Sequence, residues 1–130
     1  MNLESPKVTT HKNQQEMFNF LTQVENYEQV MPDSLEKFKV TGPQAFIFSL
    51  KGMPQIELEI KETREPELIV LGSTSDKFDF SIDLNIEPVG EDQSDVQLFF
   101  TGKFNTMMAM MVKGSLKKFI DTLSQNIQKV

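Results

Sequence analysis

The last stretch of the chain, Asn105 to Val130, reads as one long amphipathic helix, and a helix of that kind needs a large apolar surface to lie on. Ala109, Val112, Leu116, Phe119, Ile120, Leu123, Ile127 and Val130 fall on one face at close to helical spacing. At about 1.5 Å per residue the segment spans roughly 39 Å, enough to cross a whole sheet diagonally. Ordering its backbone costs about 1–2 kcal/mol per residue, so the helix should not persist unless its apolar side is covered.

The preceding residues supply the cover. Leu3 to Thr10 reads as a first strand in which Pro6 marks an edge position or a bulge. Asn13 is placed as a helix N-cap, with Glu16 three residues on completing a capping box. Met17, Phe18, Phe20, Leu21 and Val24 form the apolar side of that helix. A second short helical turn is expected over Tyr27 to Met31, ended by Pro32 and Asp33.

A meander follows. Phe38 and Val40 alternate with polar neighbours, and Gly42-Pro43 is a turn signal. Phe46, Phe48 and Leu50 share a face. Ile56, Leu58 and Ile60 alternate with Glu57, Glu59 and Lys61, the pattern of a half-buried strand. Leu68 to Ser73 is continuously apolar. Phe78, Phe80, Ile82, Leu84 and Ile86 form another inward row, and Val96, Leu98, Phe100 and Phe104 the last, interrupted by Gly102 where a curved sheet could bend. Short connections allow hairpin links throughout. The expected fold is α+β, with about seven antiparallel strands in the order β-α-α-β-β-β-β-β-β-α, curved around the terminal helix. No linker or repeat divides it, so residues 1–130 are read as a single domain.

Charge and residue content exclude several functions. A net charge of -6 leaves no basic stripe for nucleic acid and tells weakly against an anionic membrane surface. With no cysteine, disulfides, thiolate metal sites and cysteine nucleophiles are ruled out. No apolar run approaches the ~18 residues of a membrane span, and the first residues carry no signal pattern. A cytoplasmic protein without a cofactor or metal is the expectation.

The segments Val8-Thr-Thr-His-Lys-Asn-Gln-Gln-Glu-Met-Phe-Asn-Phe-Leu21, Val24-Glu-Asn-Tyr-Glu-Gln-Val-Met-Pro32 and Lys118-Phe-Ile-Asp-Thr-Leu123 together resemble the START-like superfamily, also called the polyketide cyclase and lipid-transport (SRPBCC) superfamily. The resemblance covers nearly the whole chain. It implies a helix-grip fold, a curved sheet closed by a C-terminal helix. Within the superfamily the group of small stand-alone domains associated with carbon monoxide dehydrogenase looks nearest. These segments are folding signals rather than catalytic signatures.

Few residues carry chemistry. His11, the only histidine, sits at a strand end beside Lys12, where a solvated or capping role is expected. Glu57 with Glu59, and Asp79 with Asp83, alternate with inward apolar residues and belong to the wet face. Tyr27, the single tyrosine, is expected in an ordinary amphipathic surface contact, or with its hydroxyl at a pocket edge.

Three functional readings follow. The preferred one is binding of an apolar or amphipathic small molecule between sheet and helix, in a cavity lined by Phe46, Phe48, Leu58, Phe78, Phe80, Phe100, Met108 and Val112. The same phenylalanines could equally fill the space. The second is an interaction or assembly factor that docks a protein partner or a second copy through Met107, Met110 and Met111, which project away from the core face. The resemblance to the carbon monoxide dehydrogenase group implies it, since such domains are linked to assembly of larger enzymes. These methionines could instead line a cavity mouth, or pack under neighbouring loops. Gly114 just beyond them lowers helix propensity by about 1 kcal/mol against alanine, so this end could bend or open. The third reading is a cyclase or aromatase, which needs polar groups inside the pocket; the inward rows offer almost none beyond Gln44.

Overall fold

The computed structural model describes residues 1–130. Eight strands form one antiparallel sheet: β1 (Asn2–Glu4), β2 (Val8–Thr10), β3 (Leu35–Gly42), β4 (Ala45–Leu50), β5 (Ile56–Arg64), β6 (Leu68–Ser73), β7 (Phe80–Pro88) and β8 (Ser94–Gly102). Helix α1 (Gln14–Thr22) and a 3-10 helix (Val24–Val30) join β2 to β3, and the long helix α2 (Thr106–Lys129) ends the chain. The strands from β3 to β8 lie side by side in chain order, and both β1 and β2 pair with β8.

The expected first strand is therefore present but broken in two, and Pro6 is the reason. Proline has no N–H to give to the ladder. Ser5 repairs the break. Its backbone N–H donates to the Leu98 carbonyl at 2.9 Å, its hydroxyl accepts from the Leu98 N–H at 2.9 Å, and its carbonyl accepts from the Gln97 side chain at 2.9 Å. A buried hydroxyl pair, Thr10 with Ser94 at 3.1 Å, holds the Lys12 carbonyl where the chain turns into α1. There the expected capping box forms: Asn13 Oδ1 accepts from the Glu16 N–H at 2.8 Å and Glu16 Oε1 from the Asn13 N–H at 3.0 Å.

The sheet bends through interruptions of its register. Bulges occur in the β3–β4 pairing and between Ile60 and Glu62 of β5. At the end of β8, Gly102 serves a packing need. A Cβ there would meet the Phe104 ring at 2.7 Å and the Phe100 ring at 2.9 Å, so only glycine lets Phe104 fold back over the strand.

The core is one cluster between the concave sheet face and the helices. The wheel of α2 is confirmed in its second half, where Leu116, Phe119, Ile120, Leu123 and Ile127 are buried. It is not followed in the first half. From Thr106 to Ser115 no residue is buried, and Ala109 and Val112 are only half-covered. Polar ties sit at the docked half as well. Asn126 donates to the Val30 and Met31 carbonyls at 2.9 and 3.2 Å, and Lys117 Nζ donates to the Glu4 carbonyl at 2.9 Å. The first turns of α2 overhang the open end of the sheet.

Candidate functional site

Rings packed against one another decide what space is left between sheet and helix. One series runs from the 3-10 helix across β3 and β4 to α2. Tyr27 stacks on Phe46 at 5.1 Å, Phe38 on Phe46 at 5.3 Å, and Phe48 on Phe119 at 5.4 Å between centroids. A second lies at the open end. Phe80 stacks on Phe100 at 5.0 Å, Phe78 meets Phe80 edge-on at 5.4 Å, and Phe104 lies 4.9 Å from Phe78. These separations are those of favourable aromatic pairs in contact.

The consequence for the expected cavity wall is specific. Phe46, Phe48, Leu58, Phe80 and Phe100 are at most 3% exposed and sit within the core cluster. Phe78, Met108 and Val112, the other three, are half-buried and come together under the overhanging turns of α2. Two adjoining grooves of about 300 and 350 Å³ share Pro54, Phe78 and Met108. The first is closed by Ile56 and by polar groups from Gln55, Glu57, Ser73, Ser75 and Lys77. The second continues along α2 past Asn105, Met107, Met111 and Val112. Each volume lies at the lower end of the range typical of small-molecule sites.

Local sequence explains the arrangement. Gly52, at φ +82°, turns the chain after β4 so that Pro54 stands at the mouth. Asn105 caps α2 by accepting from the Met108 N–H at 2.8 Å, which starts the helix just after Phe104 has folded inward. The outward methionines lie where the wheel puts them. Met107, Met110 and Met111 are 74%, 79% and 76% exposed, so packing under loops is not their role. Together they line a shallow depression with Thr106.

Electrostatics leaves the interior neutral. The buried polar side chains other than Tyr27 are Ser5, Thr10, Ser94 and Ser124, and no buried side-chain polar atom lacks a hydrogen-bond partner. Tyr27 departs from its expected surface setting. It is 2% exposed, and its hydroxyl donates to the Leu21 carbonyl at 2.6 Å. Burial holds its pKa far above the ordinary tyrosine value. The signal that could have placed it is its spacing three residues after Val24 and three before Val30, both buried on the same short helix. Asp83 on the outer face is pushed up by partial burial and then by Glu62, against the opposing pull of Arg64.

Glu57 accepts from the Thr41 and Thr74 hydroxyls, each at 2.9 Å, and Glu59 pairs with Lys61 at 2.6 Å, so the two carboxylates share no proton-transfer geometry. His11 is exposed at the bend before α1, and Gln44 is exposed at the β3–β4 turn. The chain holds no cluster of three or more His, Cys, Asp or Glu able to bind a metal ion. No helix is long and apolar enough to cross a membrane.

No protein-family model and no curated protein matches the sequence. Solved structures do match the fold. Norcoclaurine synthase from Thalictrum flavum superposes with a TM-score of 0.77 at 8% identity over 99% of this chain and 84% of that one. A START superfamily protein from Mycobacterium smegmatis gives 0.69 at 14% identity over 98% and 97%. The di-domain ARO/CYC BexL from the BE-7585A biosynthetic pathway gives 0.66 at 12% identity over 98% of this chain and 46% of its own length. With a curved antiparallel sheet gripping the second half of a long C-terminal helix, the chain has the START-like helix-grip fold.

Proposed function

We propose that the chain binds an apolar or amphipathic small molecule in the groove under the first turns of α2. The observation that carries this reading is the meeting of Phe78, Met108 and Val112 with Pro54 at a concave, half-covered place. A further recess of about 250 Å³ on α2, which reaches Leu50 and Phe119, is lined mostly by polar residues. Apolar surface kept partly wet in a concavity is where an apolar ligand gains most from leaving water. Phe80 and Phe104 pack against Phe78, at 5.4 and 4.9 Å between centroids, and hold it in place. Gln55, Ser75 and Lys77 at one end are placed to orient a polar head.

A norcoclaurine synthase of this fold was solved in complex with dopamine and hydroxybenzaldehyde, a precedent for small aromatic ligands on this architecture. Catalysis is not part of the reading: the ionisable groups at the groove are Glu57 and Lys77, and Glu57 is engaged by the Thr41 and Thr74 hydroxyls.

Native mass spectrometry of protein purified without detergent, with titration by fatty acids, quinones and a fluorescent apolar probe, tests the proposal. Binding should weaken about tenfold or more in Phe78→Ala or Met108→Ser, because each removes a side chain whose burial is worth roughly 1.5–3 kcal/mol. A mass equal to the bare chain, together with no binding of any of these compounds, overturns it.

A further inference from the structure

The overhanging half of α2 carries a second property on its outward side, beside the groove that Met107 and Met111 also edge. From Lys103 to Ile120 the chain holds four lysines, Lys103, Lys113, Lys117 and Lys118, and no acidic residue. The rest of the chain holds nine basic and all nineteen acidic side chains, a balance of -10. A protein with net charge -6 therefore concentrates positive charge on one segment, and that segment presents its most exposed apolar side chains.

Met107, Met111, Gly114 and Lys118 succeed one another at spacings of four, three and four along the outward stripe of α2, with Met110 alongside. A Cβ built on Gly114 meets nothing within 4 Å, which places that stripe in open solvent. Lys103, Lys113 and Lys118 are exposed, as are Lys51, which shares a recess with Lys118, and Lys77 at the groove, and none of the five is in an ion pair. Lys117 is the exception, held by Asp121 at 2.7 Å. Glu57 lines the groove with Lys77, and Asp76 and Asp79 flank Lys77 along the chain.

We propose that this face docks on an anionic lipid bilayer, with the Met107, Met110 and Met111 side chains in the headgroup–acyl boundary and the lysine rim against acidic headgroups. A helix lying in the plane of a membrane interface shows this division, apolar on one stripe and basic around it. Methionine is flexible enough to pack against a disordered acyl surface. Charge argues against a second copy seated symmetrically on the same face, since that would set one lysine rim against another. The acidic remainder of the molecule is repelled by the same membrane, so attraction and repulsion together fix one orientation. The proposal does not depend on the groove holding a ligand.

Co-sedimentation of the full chain with vesicles tests it, using phosphatidylcholine alone and phosphatidylcholine mixed with phosphatidylserine, each at low and high salt. Binding is expected on the mixed vesicles only, and should fall as salt rises. Replacing Met107, Met110 and Met111 with Gln should reduce it at least tenfold without changing the circular dichroism spectrum or the melting temperature. Lys103→Gln with Lys113→Gln should reduce it by about fivefold for each lysine removed. Lys7→Gln with Lys39→Gln makes the same change in net charge away from the rim and should not weaken it. The proposal is overturned by absent binding, by equal binding to neutral vesicles, or by equal loss with the remote lysines. It is also overturned by a concentration-dependent dimer that the methionine variant abolishes, which would assign the stripe to a second copy. Apolar-probe titration without vesicles reads the groove separately, so failure of either proposal is told from failure of the other.

Discussion

Truncating Phe119 and Val112 in parallel measures where the docked part of α2 begins. Both belong to the apolar face of the helical wheel, two turns apart. Phe119 is 4% exposed and stacks on Phe48 at 5.4 Å, joining α2 to β4. Val112 is half-covered, packs on the edge of the core and lines the groove. Phe119→Ala removes a buried ring and leaves a cavity beside Phe48 that the stacked series cannot close, which costs about 3–5 kcal/mol. Val112→Ala removes two methyl groups already in partial contact with water, and should cost under about 1 kcal/mol. For a domain of this size 1 kcal/mol corresponds to roughly 3–5 °C in melting temperature, so the first variant should melt about 10–20 °C lower and the second within a few degrees of the parent. Urea unfolding followed by far-ultraviolet circular dichroism gives both free energies from the midpoints, with an unchanged m-value as the sign that the unfolded state is the same. Comparable losses in the two variants would refute the argument that the first turns of α2 overhang the sheet, and with it the basis for both functional proposals.

Two further outcomes test the packing. Tyr27→Phe keeps the ring stacked on Phe46 but leaves the buried Leu21 carbonyl without its donor, so it should cost about 1–3 kcal/mol at neutral pH. Because burial raises the folded pKa of Tyr27 above its unfolded value near 10, its contribution is complete below that pH. Stability should then fall by about 1.4 kcal/mol per pH unit above it, and the slope attributable to this group should vanish in Tyr27→Phe. Gly102→Ala and Gly114→Ala should move melting temperature in opposite directions. The first forces Phe104 and Phe100 off their positions at a cost of about 1–3 kcal/mol. The second meets open space and gains about 0.5–1 kcal/mol from helix propensity and a less flexible unfolded chain.

Local periodicity made most of the architecture legible. Alternation at Ile56, Leu58 and Ile60, and from Phe78 to Ile86, reports which strand face is wet, because successive strand side chains point to opposite sides. The Asn13–Glu16 capping box and the break at Pro6 were legible for the same reason: each depends on bonds made within a few residues, or on a bond proline cannot make. The charge-free inward rows likewise foretold an interior without buried ionisable groups other than Tyr27.

Distance across the fold decided the rest. Whether Phe46, Phe48, Phe80 and Phe100 line a space or fill it depends on how near the rings of different strands come, and stacking at about 5 Å is a property of sheet curvature that no single segment encodes. Spacing on its own short helix puts Tyr27 with Val24 and Val30, but its full burial depends on the Phe46 ring, which arrives from a distant strand. The wheel of α2 treats Val112 and Leu116 alike, since a helix repeats along its axis; the sheet beneath it ends, and only that end divides a docked half from an overhanging one. Amino-acid order thus determined which faces are apolar, and tertiary structure determined which of them stay uncovered, because burial is a relation between surfaces that meet only when the whole chain has folded.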